Sequence, residues 1–288
     1  MVVEDCPLEP ALSADGRDPI HSIALAGERL FVADGTKELR AYAVKPGCKL
    51  VLDDSFADHG ELHMEREIAL VTADAQGNVM ASNGVFDSYL LRGGKSAVCG
   101  RNYVALHPSG AWGLTSFANS TVNKLTLTGD KCALEPWALR DLGDDAKRVG
   151  PFTNVSAIGF ARDLTLVGGV LASGAHVVVG YDAAGNEKLR FGNEAQGASP
   201  DVIGWVHAVA GCAPGFCVAD ANYRAISVWS KEGKFVGRVL LEEILEGSLP
   251  WNQTATEQNG KLLVGISQRP KAGPVVARVV RLVFSERS

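Results

Sequence analysis

Two histidines carry the first chemical signal in this chain. His21 opens His-Ser-Ile-Ala and His207 opens His-Ala-Val-Ala. Each stands eleven positions before the valine of a second apolar run, Val32 in Leu30-Phe-Val-Ala-Asp34 and Val218 in Phe216-Cys-Val-Ala-Asp220. Imidazole changes charge near neutral pH and is the commonest metal ligand, so two of them in matched surroundings point to one shared site, with His21 and His207 as candidate ligands. The same ruler places Arg66, Asn102, Ser156 and Gln253 at the equivalent positions, at intervals of 36 to 54 residues. The resulting set of six is polar throughout. Its arginine would repel a cation and favour a carboxylate, phosphate or sugar through paired hydrogen bonds. Trp205 and Trp251 each shortly precede a first strand, where an indole can stack on carbohydrate or anchor a protein contact.

Other chemistry is sparse. The sequence has no Gly-x-Ser-x-Gly elbow, no His-Glu-x-x-His and no phosphate-binding glycine loop, which sets aside the commonest serine hydrolase, zincin and nucleotide-binding readings. His59 and His63 flank Glu61 at a spacing that suits a solvated connection better than a metal site. Asp141-Leu-Gly-Asp-Asp145 lacks the alternating oxygen ligands of a calcium loop.

The elements that must hold these residues recur with the same period. Each unit reads as an apolar strand, a tight turn, a second strand ending in a small residue or Ala-Asp, and two further strands. In the fifth unit the strands are 206–210, 215–220, 225–230 and 235–241, with Lys231-Glu-Gly-Lys234 as a hairpin turn. The first unit repeats the plan, with strands at 40–44 and 49–53 around Lys45-Pro-Gly-Cys48. Six such units fill residues 1–288 as one domain, an all-β six-bladed propeller of four-stranded antiparallel blades. The last clear strand is 275–284, so the final blade lacks its outermost strand. Residues from Val2 to about Leu8 are expected to supply it and close the ring. The six ring residues then stand at the mouth of a central channel.

With 46% hydrophobic and 21% charged residues the chain is globular. It has 28 basic against 33 acidic residues and no basic stripe, which argues against nucleic acid as a partner. No apolar run approaches a membrane span, and the opening Met-Val-Val-Glu-Asp-Cys is no signal peptide. Six cysteines, an even number, fit export to an extracellular, periplasmic or cell-surface compartment with the leader removed. Cys212 and Cys217 flank a four-residue Pro-Gly loop and are expected to bridge within a hairpin. Cys6, Cys48, Cys99 and Cys132 leave three pairings open.

The stretch from Trp205 to Arg238, and less fully that from Ile23 to Val44, resembles the NHL-repeat family of six-bladed propellers. That family includes binding platforms, sensor domains and enzymes. The peptidylglycine amidating lyases, of related architecture, hold zinc with a His before the first strand in three alternate blades. His21 and His207 are similar to two of these, and Asn102 stands at the third position. Gluconolactonase-type propellers hold a divalent cation such as calcium with Glu, Asn and Asp, and here only Asn102 matches. The resemblance therefore implies a non-catalytic module that binds a protein or a small polar or anionic ligand through the channel-mouth face. The alternative it leaves is a metal-dependent lyase or lactonase.

Overall fold

A computed structural model describes residues 2–14, 19–83, 87–92, 95–101, 103–117, 121–129, 131–137, 152–192, 199–245, 249–258, 261–269 and 273–284. An N-terminal arm carries β1 (Val2–Asp5), β2 (Leu8–Glu9) and β3 (Ser13–Ala14). Blade 1 follows with β4 (Ser22–Ala26), β5 (Arg29–Ala33), β6 (Glu38–Lys45) and β7 (Lys49–Leu52), and β8 (Glu61–His63) returns to pair with β6. Blade 2 is β9 (Leu70–Ala73), β10 (Val79–Ser82), β11 (Asp87–Arg92) and β12 (Lys95–Arg101). Blade 3 is β13 (Tyr103–Leu106), β14 (Trp112–Phe117), β15 (Thr121–Thr128) and β16 (Lys131–Pro136). Blade 4 comprises β17 (Phe152–Ala161), β18 (Leu164–Leu171), β19 (His176–Tyr181) and β20 (Glu187–Phe191). Blade 5 comprises β21 (Val206–Cys212), β22 (Gly215–Asp220), β23 (Ala225–Ser230) and β24 (Phe235–Leu240), and the single-turn helix α1 (Leu241–Ile244) leads out of it. Blade 6 is β25 (Leu249–Gln258), β26 (Lys261–Arg269) and β27 (Val275–Val283), with β1 as its fourth strand. The chain is a six-bladed β-propeller.

Alternation along the strands explains why sheets this short are stable. In β5, Leu30 and Val32 enter the cluster shared with blade 6, while Phe31 and Ala33 enter the cluster shared with blade 2. In β22, Phe216 and Val218 face blade 4, and Cys217 and Ala219 face blade 6. A strand apolar on both sides has no solvated face, and it suits a sheet sandwiched between two neighbours. Each blade junction has its own hydrophobic cluster, so the core is a ring of interfaces. Where blades 4 and 5 pack together, a Cβ on Gly168 would overlap the Val206 side chain, which leaves glycine as the residue that fits.

The ring closes through the arm, as the missing outer strand requires. β1 runs antiparallel to β27 with Val2 opposite Val283 and Asp5 opposite Val280. Arg281 of β27 binds Glu4, with Nε at 2.7 Å from the carboxylate, and Arg278 reaches Asp5 at 3.0 Å. The arm then crosses to blade 1, where Cys6 bridges Cys48 and β2 pairs in parallel with β7, before β3 returns to β27. Cys99 bridges Cys132 between the outer strands of blades 2 and 3, which resolves the open pairing. Cys212 bridges Cys217 within the β21–β22 hairpin, as its spacing indicates. The single-turn helix α1 buries Leu241. Among the described residues no helix is long and apolar enough to cross a membrane.

Candidate functional site

The first strands of the blades line a central cavity of about 160 Å³, with His21, Ser22, Thr72, Ser156, His207 and Thr256 among its wall residues. Most of the wall hydroxyls are already engaged between blades. Ser22 Oγ accepts from Val71 N at 3.1 Å and donates to Val71 O at 3.2 Å. Ser156 Oγ donates to Val206 O at 2.7 Å, and Thr72 and Thr256 accept from the backbone of Leu106 and Leu25, at 3.1 and 3.2 Å. Ser267, one strand back, bridges both backbone groups of Ile20. A first strand is an edge strand with unpaired N–H and C=O groups, and these hydroxyls satisfy them without water.

His21 and His207 both reach the cavity, but the ring of six is not assembled as spacing suggests. In blade 1, His21 N donates to Ala33 O at 2.8 Å; in blade 2 the equivalent bond runs from Ala69 N to Ser82 O at 2.9 Å. Ala69 therefore takes the ring position. Arg66 is exposed, in the connection between β8 and β9 and away from the cavity wall. The shift arises because Met64 and Ile68 bond back to Lys37 and Thr36 of blade 1, at 2.8 and 2.6 Å, and use up residues before the strand begins. In blade 6 Gln253 keeps the position held by His21, Ser156 and His207, one residue before Thr254, which pairs with Gly265 as Ser22 pairs with Ala33; the β-bulge between Pro250 and Asn252 lies two residues further upstream. Asn102 lies outside the described residues, as do the side chains of Trp251 and Gln253.

A zinc or calcium site on the pattern of the related enzymes would need at least three converging donors. Among the described residues no group of three His, Cys, Asp or Glu side chains is placed to hold a metal, and the blade 2 ring position is an alanine. The donor set of His21 and His207 does not fit such a group. His63 instead pairs with Glu38 at 2.6 Å, and Glu61 binds Arg40 Nε at 2.7 Å.

The Ala-Asp step that repeats in the sequence fixes the mouth loops. Asp34 accepts from Thr36 N at 2.9 Å and binds the Arg40 guanidinium. Asp220, fully buried, accepts from three backbone N–H groups: Gly204 at 2.8 Å, Trp205 at 3.1 Å and Tyr223 at 3.2 Å. One carboxylate thus ties the loop entering blade 5 to the β22–β23 turn. Asn222 Nδ2 adds a bond to Gly204 O at 2.9 Å. The Trp205 and Tyr223 side chains project from this frame 38% and 40% exposed. Tyr223 rests on the Arg238 guanidinium at 4.3 Å, and Trp205 lies 5.2 Å from the His176 ring. Burial lowers the His176 pKa, with Asp220 opposing, which favours the neutral ring.

The opposite end of the channel is aromatic. His107 stacks on Trp112 at 4.5 Å and meets Phe160 edge-on at 5.0 Å. Its Nδ1 accepts from Ser109 N at 3.1 Å, which places any ring proton on Nε2, and burial lowers its pKa. Trp137 belongs to the core, edge-on to Tyr181. Tyr223, Asn222 and His176 escape sequence reasoning because Asp220 recruits partners 15 and 16 residues upstream. The local signal was a turn, Asp-Ala-Asn-Tyr-Arg, with nothing to show what its Asp would hold.

No family model matches the chain, and no curated protein matches it. Among solved structures, the β-propeller domain of Cps50 (Swd1) from Myceliophteria thermophila superimposes with a TM-score of 0.56 at 10% identity, over 92% of this chain and 84% of that one. At that identity the likeness is one of fold: the chain shares the β-propeller architecture.

Proposed function

We propose that this chain is an exported, NHL-like propeller acting as a non-catalytic binding module through its channel-mouth face, for a protein or a small polar ligand. The observation that carries the reading is the rigid mouth of blade 5, where Asp220 locks two loops and leaves Trp205 and Tyr223 exposed beside His207. Preorganised aromatics cost little side-chain entropy on binding. The central cavity, at about 160 Å³, is smaller than the roughly 300–1,000 Å³ of usual small-molecule sites, which favours recognition on the face over enclosure in the channel. Export is supported by three disulfides, which persist in oxidising compartments.

Native mass spectrometry of protein purified without chelator or reductant tests this against the metal-dependent enzyme. The expected species is metal-free, lighter than the reduced sequence by the six hydrogens of three disulfides. A stoichiometric metal that disappears in His21→Ala/His207→Ala protein would overturn the reading in favour of a lyase or lactonase.

A further inference from the structure

Resting on that reading, we infer that the Trp205–Tyr223 platform recognises a glycan, by stacking its rings against the C–H face of pyranose residues. Each ring is backed on one side, Tyr223 by Arg238 and Trp205 by His176, so orientation is fixed before any ligand arrives. Arg238 is itself held, with Nε on Ser227 Oγ at 3.1 Å and Nη2 on Val202 O at 2.6 Å. Gly204 permits the close packing: a Cβ there would overlap the Asn222 side chain and crowd the Tyr223 ring.

Area separates a glycan from a protein surface. Aromatic side chains carry roughly 150–250 Å² each, so at 38% and 40% exposure the pair offers on the order of 150 Å². A stable protein interface needs about 800 Å² per partner, whereas one or two sugar rings are matched by two aromatic faces. The polar surroundings suit sugar hydroxyls. The exposed Asn222 amide is fixed by one N–H and keeps its oxygen and second N–H for a ligand. Among the described residues, the indole N–H of Trp205 and the guanidinium of the neighbouring exposed Arg224 make no hydrogen bond. Flat apolar faces rimmed by amide, indole and guanidinium donors are complementary to an equatorial pyranoside.

The test titrates the intact protein with soluble hexamers of β-1,4-linked glucose, N-acetylglucosamine, mannose and xylose, reading tryptophan fluorescence and heat. At least one hexamer is expected to bind with a blue shift, Trp205→Ala to weaken it at least about tenfold, and Trp205→Phe to retain most of the affinity. Asn222→Ala, which leaves both rings in place, is expected to weaken it severalfold. Circular dichroism of each variant separates lost binding from lost fold. No binding of any hexamer up to about 10 mM, or Trp205→Ala protein binding like wild type, overturns the inference. Should arrayed peptides bind through Trp205 while no hexamer does, the glycan falls and the binding module stands. The metal measurement decides that module separately.

Discussion

The outer rim of the propeller and the wall of its channel hold the same six blades together by different physics. At the rim the fastenings are covalent or extended: β1 completing blade 6, Cys6–Cys48 joining the arm to blade 1, and Cys99–Cys132 joining blades 2 and 3. At the wall they are single hydroxyls, Ser22, Thr72, Ser156 and Thr256, each paired with the backbone of a neighbouring blade. A rim fastening acts largely on the unfolded chain, by closing a long loop. A wall hydroxyl acts on the folded state, by removing the penalty of a buried unpaired backbone group. The wall hydroxyls of the channel are therefore committed to assembly of the ring.

Breaking the rim should cost most. Closing loops of 42 and 5 residues gives stabilisations of about 4 and about 2 kcal/mol on the chain-entropy model. Cys6→Ser/Cys48→Ser protein should accordingly lose about twice the stability of Cys212→Ser/Cys217→Ser protein in chemical denaturation. Equal losses would remove the distinction between a closure of the ring and a pin within one hairpin.

The rim should also respond to alkali. Tyr42 packs beneath the arm with Cys6, Leu8 and Leu12, its hydroxyl 3.5 Å from Pro10 O. Burial raises its pKa from 10.0 to about 12. Because the folded state holds the proton more tightly, the contribution is complete below pH 10 and is lost as pH rises through 12. At about 1.4 kcal/mol per unit it amounts to about 3 kcal/mol, a loss that Tyr42→Phe protein should not show between pH 9 and 12. A difference-spectrum titration that places Tyr42 near pH 10 would contradict this.

At the wall, Ser22→Ala leaves Val71 N–H and C=O without their hydroxyl and should cost about 1–3 kcal/mol. Hydrogen exchange at Val71 should quicken with the loss. An unchanged protection factor would mean that water replaces the hydroxyl.

These residues also show how far the sequence could be read. Six blades, the closing role of the arm, every strand of blade 5 and the Cys212–Cys217 bridge follow from local signals: period-2 apolarity, glycine turns and short spacing. The ring at the mouth was harder. His21, Ser156 and His207 lie where counting places them, because in blades 1, 4 and 5 the entering chain leaves that position in register. Arg66 misses by three residues because blade 2 is entered through a strap bonded to blade 1, whereas Gln253 keeps its register one residue before Thr254 because the blade 6 bulge lies upstream of it. Ser156 keeps its place, and its hydroxyl donates to Val206 O of the next blade. Contacts between blades decide these outcomes, and a single blade's sequence does not encode its neighbour.

The smallest expected effect comes from one motif used at both radii. Asp74-Ala-Gln-Gly77-Asn78 closes the β9–β10 hairpin near the channel, and Asp182-Ala-Ala-Gly185-Asn186 closes β19–β20 at the rim. Both turns place glycine at φ 82° and both aspartates accept from the asparagine N–H at 2.9 Å. Their surroundings differ. Asp74 is 1% exposed and packs against Gly110 of blade 3, where Ala75 N also bonds Pro108 O at 3.1 Å. Asp182 is half-buried and pairs with Lys188 Nζ at 3.2 Å, and the Asn186 backbone N–H, helped by its side chain, brings its pKa down to about 2. Asp182→Ala should therefore lower the melting temperature only slightly, and the contribution of Asp182 should be complete above pH 3.8 and be lost progressively as pH falls from there through about 2. Asp74→Ala, which removes the same turn bonds and also opens a contact between blades, should cost about 1–3 kcal/mol. If the two substitutions proved equal, the turn alone would matter and radial position would not. If Asp74→Ala is the more damaging, the channel side of the ring is where a shared local motif becomes an interface between blades.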